Sequence, residues 1–224
     1  LQIVEGEMSA KAWGEIRYDA VPSRAMMLHT NAFTRHDPAR FLEYLDNVNN
    51  GTAKIHAKDL FPYDIAEKYL YNTVSEETEK TLEAQWKALP DYVQQGTNIL
   101  VMADTSGSMY GRPLASALGL AVYFAERNTG AYQNLFMTFS SDPQFLEIKG
   151  ETLQQKFAYL KEKGAGMWGF STNLSCAMQK ILEVAIENHV PAEEMPEALV
   201  IISDMEIDEC TEPDTLFYDE TKEA

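Results

Sequence analysis

One stretch constrains this chain more than any other: Asn98-Ile99-Leu100-Val101-Met102-Ala103-Asp104-Thr105-Ser106-Gly107-Ser108-Met109. Its first half is a short apolar run without period-2 alternation, bounded by a polar cluster. That pattern predicts a strand buried on both faces, as in a parallel sheet. The carboxylate and hydroxyls therefore fall at the carboxyl end of a strand, where open α/β sheets place their ligands. Gly107 and Gly111 loosen the turn, and Pro113 opens a helix with its φ already set and no N–H wasted.

Asp104, Ser106 and Ser108 sit at alternate positions, so a curled loop can bring their three oxygens to one point. Hard divalent cations take such oxygen ligands, and neutral hydroxyls leave a bound Mg²⁺ with much of its charge. The same residues also suit a second reading, as turn residues whose side chains cap the following helix.

Two later segments bear on that choice. Ala198-Leu199-Val200-Ile201-Ile202-Ser203-Asp204 reads as another buried strand ending in an acid, and Trp168-Gly169-Phe170-Ser171-Thr172-Asn173-Leu174 as a polar loop opening a helix. With these three loops in order, the chain from about residue 97 onward resembles a von Willebrand factor A (vWA) domain with a metal-ion-dependent adhesion site. The resemblance implies an α/β, Rossmann-like sheet with helices on both faces. It also implies a metal set of Asp104, Ser106, Ser108, Thr172 and Asp204. Ser106, Ser108 and often Thr172 would touch a Mg²⁺ or Mn²⁺ ion, with Asp104 and Asp204 acting largely through water.

The flanks carry a narrower likeness. Ala53-Lys54-Ile55-His56 before an apolar helix and a charged helix is similar to the Ro ribonucleoprotein (TROVE) family. Phe170-Ser171-Thr172-Asn173-Leu174 with Ile202-Ser203-Asp204-Met205-Glu206 resembles an uncharacterised Ro-like vWA family.

Composition bounds the rest. The 224 residues, 45% of them hydrophobic, give room for one large or two small domains with a real core. There are 18 basic against 35 acidic side chains, a net charge of −17. Ten basic and 15 acidic residues precede position 97, while 8 and 20 follow it, so a charge of −12 belongs to the second part. That field repels phosphate backbones and concentrates cations. It argues against DNA as a partner, and it allows RNA only through an intact Ro-like protein. Cys176 and Cys210 lack metal or redox spacing, which favours a reducing, cytoplasmic setting. No apolar run has membrane-spanning length, and the opening Leu1 reads as part of a longer protein.

Residues 1–93 read as a helical segment covering the vWA sheet, with the boundary within residues 90–96 and the vWA part at 94–224. In the first part a short helix is expected around Arg24 to His29, a second after Asp37-Pro38 with Phe41, Leu42, Leu45 and Val48 inward, and a third from Asp59. A fourth, capped by Ser75, carries Leu82, Trp86 and Leu89. His29, His36 and His56 lack ligand spacing and read as packed or solvated.

In the second part Pro113–Arg127 should be a buried helix, Leu135–Phe139 a strand, and Phe145–Ile148 an antiparallel edge strand entered through Ser141-Asp142-Pro143. Thr152 and Gln155 form a capping box. Leu174, Ala177, Met178, Ile181, Leu182, Ala185 and Ile186 trace the clearest amphipathic helix. The acidic stretch after Asp204 offers little to supply further strands, so the vWA part is expected to be C-terminally incomplete.

Enzyme motifs fail on single residues. Ser106 stands where an aspartic protease needs Gly and where a D-x-D phosphoryl-transfer motif needs an acid, and Gly107-Ser108-Met109-Tyr110-Gly111 lacks nucleophile-elbow spacing. The expectation is a non-enzymatic interaction module whose metal accepts a carboxylate from an acidic protein ligand, with a component of a Ro-like RNA–protein particle as the alternative and a metal-assisted enzyme after it.

Overall fold

The computed structural model describes residues 3–93, 98–139, 143–164 and 174–204. They form two compact units: one built on residues up to Tyr92 together with Glu151–Phe157, the other on Val93–Gly150 and the chain from Ala158 onward.

The first unit is helical, with α1 (Val4–Ser9), α2 (Ser23–His36), α3 (Pro38–Asn49), α4 (Pro62–Tyr71) and α5 (Glu76–Lys87). Its core gathers Ile16, Tyr18, Met26, Phe33, Phe41, Tyr44 and Leu45. Helix α2 runs a full 14 residues rather than stopping near His29. Thr30 and Thr34 return their hydroxyls to the carbonyls of Met26 and Thr30, at 2.7 and 3.0 Å, so these polar residues do not end the helix. Pro38 opens α3 as its spacing predicts, but Asp37 does not cap with its side chain. That carboxylate instead accepts from the Tyr18 hydroxyl and the Arg40 guanidinium.

Helix α4 starts at Pro62 rather than Asp59, and the buried Asp64 carboxylate accepts the Phe61 N–H at 2.9 Å. The Ser75 hydroxyl caps α5 by accepting the Thr78 N–H, and Leu82, Trp86 and Leu89 are all buried. His36 stacks on Trp13, and His56 bonds the Asp19 carbonyl.

The second unit is α/β with a Rossmann-like layout. Strands β1 (Ile99–Asp104), β2 (Leu135–Phe139), β3 (Phe145–Glu147) and β4 (Ala198–Ile202) form one sheet in the order β3-β2-β1-β4. β1 is central and parallel to both β2 and β4, while β3 runs antiparallel to β2 as expected for the edge. Its α-helices are α6 (Arg112–Ala125), α8 (Leu174–Glu187) and the part of α7 (Leu153–Gly164) that follows Phe157. Leu100, Met102, Met137 and Phe139 share one face and form a core with Ala177 and Ile181 of α8. Val101 and Ala103 point to the opposite face by strand alternation and are equally buried. α6, packed on β1 and β2, stays outside that cluster.

Both residues of the predicted capping box work at the start of α7. The Thr152 hydroxyl accepts the Gln155 N–H, and the Gln155 side chain accepts from Glu151 and Thr152.

Two expectations are corrected. β4 is not buried on both faces: it lies at the sheet edge among the described residues, and Ile201 is 40% exposed. An apolar run shows that a strand is hydrophobic, not how many neighbours flank it. For the same reason the apolar stripe of α8 divides. Ala177, Ile181 and Ala185 are buried, whereas Met178, Leu182 and Ile186 are exposed. The turn through Ser141-Asp142 and the stretch after Asp204 lie outside the described residues. No described helix is long and apolar enough to cross a membrane.

Candidate metal centre at two strand tips

The site is built on the register of the two parallel strands. Ala103 pairs with Ile202, so the chain leaves β1 at Asp104 level with Ser203 on the neighbouring strand. Beyond Asp104 the backbone turns at once: Gly107–Met109 form a single 3₁₀ turn, the Met109 N–H donating to the Ser106 carbonyl at 3.1 Å. Gly111 follows with φ +93°, a left-handed conformation that a side chain would strain, and its carbonyl accepts the Ala115 N–H to start α6.

Asp104 is fully buried, and both of its carboxylate oxygens receive a hydrogen bond. Oδ1 accepts the Ser106 N–H at 2.9 Å, and Oδ2 accepts the Ser203 hydroxyl at 2.6 Å. The Ser106 and Ser108 hydroxyls hydrogen-bond to each other, Oγ to Oγ 3.0 Å, and either can be the donor. Ser106 is half-buried and Ser108 exposed, so this pair is open to solvent. Neither hydroxyl caps a helix, since the residue before α6 is Gly111 and no side-chain cap bond is made there. The Asp104 Oδ1–Ser106 N–H bond is itself the side-chain-to-backbone contact of a turn residue, so that part of the second reading stands.

These residues fit a small divalent cation on geometric grounds. Neighbouring ligands at about 2.0–2.1 Å in an octahedron stand roughly 2.9–3.0 Å apart, compatible with the 3.0 Å between the two hydroxyls, whose mutual hydrogen bond an ion would replace. The donors are hydroxyl and carboxylate oxygens. Among the described residues no group of three or more His, Cys, Asp or Glu side chains that could hold a metal ion gathers, at this loop or elsewhere. Thr105, next in the loop, is also buried, and its Oγ1 has no hydrogen-bond partner among the described residues, as holds for side-chain oxygens of Ser23, Tyr69, Gln85 and Asn98.

Of the five residues singled out in the sequence, Asp104, Ser106 and Ser108 come together at the β1 tip. Asp204 lies two residues past the end of β4, exposed, directly after the Ser203 that bonds Asp104. Thr172 lies outside the described residues. Sequence reasoning missed Ser203. Its signal was a hydroxyl immediately before the strand-tip acid, legible only once the β1–β4 register is known.

The fold and this loop define an α/β, Rossmann-like protein with oxygen donors gathered at its parallel strand tips. Residues 98–223 match the family described as domain of unknown function DUF7788, and the chain belongs to that family. Residues 1–99 match the domain of unknown function DUF2828. An uncharacterized protein of Acanthamoeba polyphaga mimivirus is 29% identical over 226 residues, covering 94% of this chain and 38% of its own length. The chain thus spans well under half of that relative. No solved structure matches the chain.

Proposed function

We propose that the second unit is a vWA-like, divalent-metal-dependent protein-interaction module, cytoplasmic and non-enzymatic. Ser106 and Ser108 would hold a Mg²⁺ or Mn²⁺ ion, with Asp104, Asp204 and Thr172 completing its surroundings. A bound ion supplies the Lewis-acidic charge that accepts a carboxylate from a partner protein. The observation that carries this reading is the pair of facing hydroxyls 3.0 Å apart beside a buried, doubly bonded Asp104. Neutral ligands suit such a role because they leave the ion's charge uncompensated. A net charge of −17 favours attraction of the cation, and it makes a metal the natural bridge between an acidic surface and an acidic ligand.

Thermal unfolding tests the metal. Added Mg²⁺ or Mn²⁺ should raise the melting temperature, since a ligand binding the folded state at about 100 times its Kd contributes about 2.7 kcal/mol. In Ser106→Ala/Ser108→Ala, both accessible positions, the rise should vanish. Equal rises in both proteins would place the ion elsewhere and overturn the proposal.

A further inference from the structure

Ser203 belongs to no ligand set described above, yet it makes the shortest hydrogen bond at the site. Its hydroxyl donates to Asp104 Oδ2 at 2.6 Å, within the range of charge-assisted O–H···O⁻ bonds. Asp104 has no exposed surface from which water could replace that donor. Its other oxygen is already held by the Ser106 N–H. The carboxylate is therefore fixed by two donors from different places: one within its own loop, and one 99 residues away at the tip of β4.

Resting on the metal reading above, we propose that Ser203 is a positioning residue: its hydroxyl locks the Asp104 carboxylate and thereby ties the β1 loop to the β4 tip that carries Asp204. The Ser106 N–H bond alone leaves the carboxylate free to turn about its Cβ–Cγ bond, because one donor fixes one oxygen. The second donor removes that freedom. The same bond uses the one O–H donor of Ser203 and anchors to β1 the tip that Asp204 follows. Without the hydroxyl, Oδ2 is a buried and unpaired charged oxygen. It must then reorient or draw in water, and either change disturbs the loop that holds Ser106 and Ser108. Losing an outer-shell group costs about 10–100-fold in metal affinity, and Ser203, which acts through the outer-shell Asp104, falls at the lower end, about 10-fold.

The test is Mn²⁺ titration of the 224-residue chain followed by electron paramagnetic resonance, with folding of each variant checked by circular dichroism. Ser203→Ala should remain folded and bind Mn²⁺ about 10-fold more weakly, while Ser203→Thr, which keeps the hydroxyl, should restore binding to within about 3-fold of wild type. Wild-type affinity in folded Ser203→Ala would overturn the inference and leave the metal reading standing. So would a Ser203→Thr variant as weak as Ser203→Ala. A wild-type chain that binds no Mn²⁺, or that binds it as tightly after Ser106→Ala/Ser108→Ala, overturns the metal reading and this inference with it.

Discussion

The side-chain amide of Asn128 closes both backbone bonds of Ile99 at the start of β1, its Oδ1 accepting the Ile99 N–H at 3.0 Å and its Nδ2 donating to the Ile99 carbonyl at 2.6 Å. Asn128 is 1% exposed and comes from the loop after α6, so one residue does for the strand's first position what a neighbouring strand does further along. Asn128→Leu should leave both groups of Ile99 without that partner and destabilise the protein by about 2–4 kcal/mol, given about 1 kcal/mol per bond plus the burial of unpaired groups. Urea unfolding would measure it. Asn128→Asp should also be destabilising, because it removes the donor and adds a buried charge.

In the first unit, Glu83 of α5 accepts the backbone N–H of Leu153. Burial raises its carboxyl above the ordinary value of 4.5, against the opposing effect of that hydrogen bond. A folded-state pKa above the unfolded one means that the folded protein holds the proton more tightly. The associated stability is present below the unfolded value and is lost as pH rises through the folded one. Relative to Glu83→Gln, the wild type should therefore lose stability as pH rises from 4.5. Melting temperatures of both proteins across that window would show the difference, and parallel curves would contradict it.

The divided stripe of α8 makes neighbouring residues unequal. Ile181 is 5% exposed within the sheet-facing core, whereas Leu182 is 55% exposed. Ile181→Ala should cost about 2–4 kcal/mol, and Leu182→Ala no more than about 0.5 kcal/mol, as for an ordinary surface position. Denaturant midpoints for the two variants would decide, and equal losses would mean that the exposed half of the stripe is packed against something in solution.

Much of this was legible in the sequence where one local signal suffices. The apolar run from Ile99 to Ala103 stopped by Asp104, the Thr152–Gln155 box and the Ser75 cap each fix an element from a few adjacent residues. What was not legible depends on pairing. Nothing within Ala198–Ile202 says that, among the described residues, it pairs with a strand on one side only, so its exposure and that of Leu182 could not be read. Ser203 was missed for the same reason, since its partner lies 99 residues away and becomes adjacent only through the β1–β4 register. The continuation of α2 past His29 was hidden because Thr30 and Thr34 look like a break until their hydroxyls are seen to bond back along the helix.

The proposed divalent cation would sit between the two facing hydroxyls at the β1 tip, and a crystal of the chain soaked in MnCl₂ and measured at the manganese absorption edge would locate it. An anomalous-difference peak is expected about 2.1–2.2 Å from both Ser106 Oγ and Ser108 Oγ, a little beyond the Mg²⁺ distance. Asp104 should keep its bonds to Ser106 and Ser203. A peak bound only to other carboxylates of the acidic surface, with none between these two serines, would contradict the proposed site.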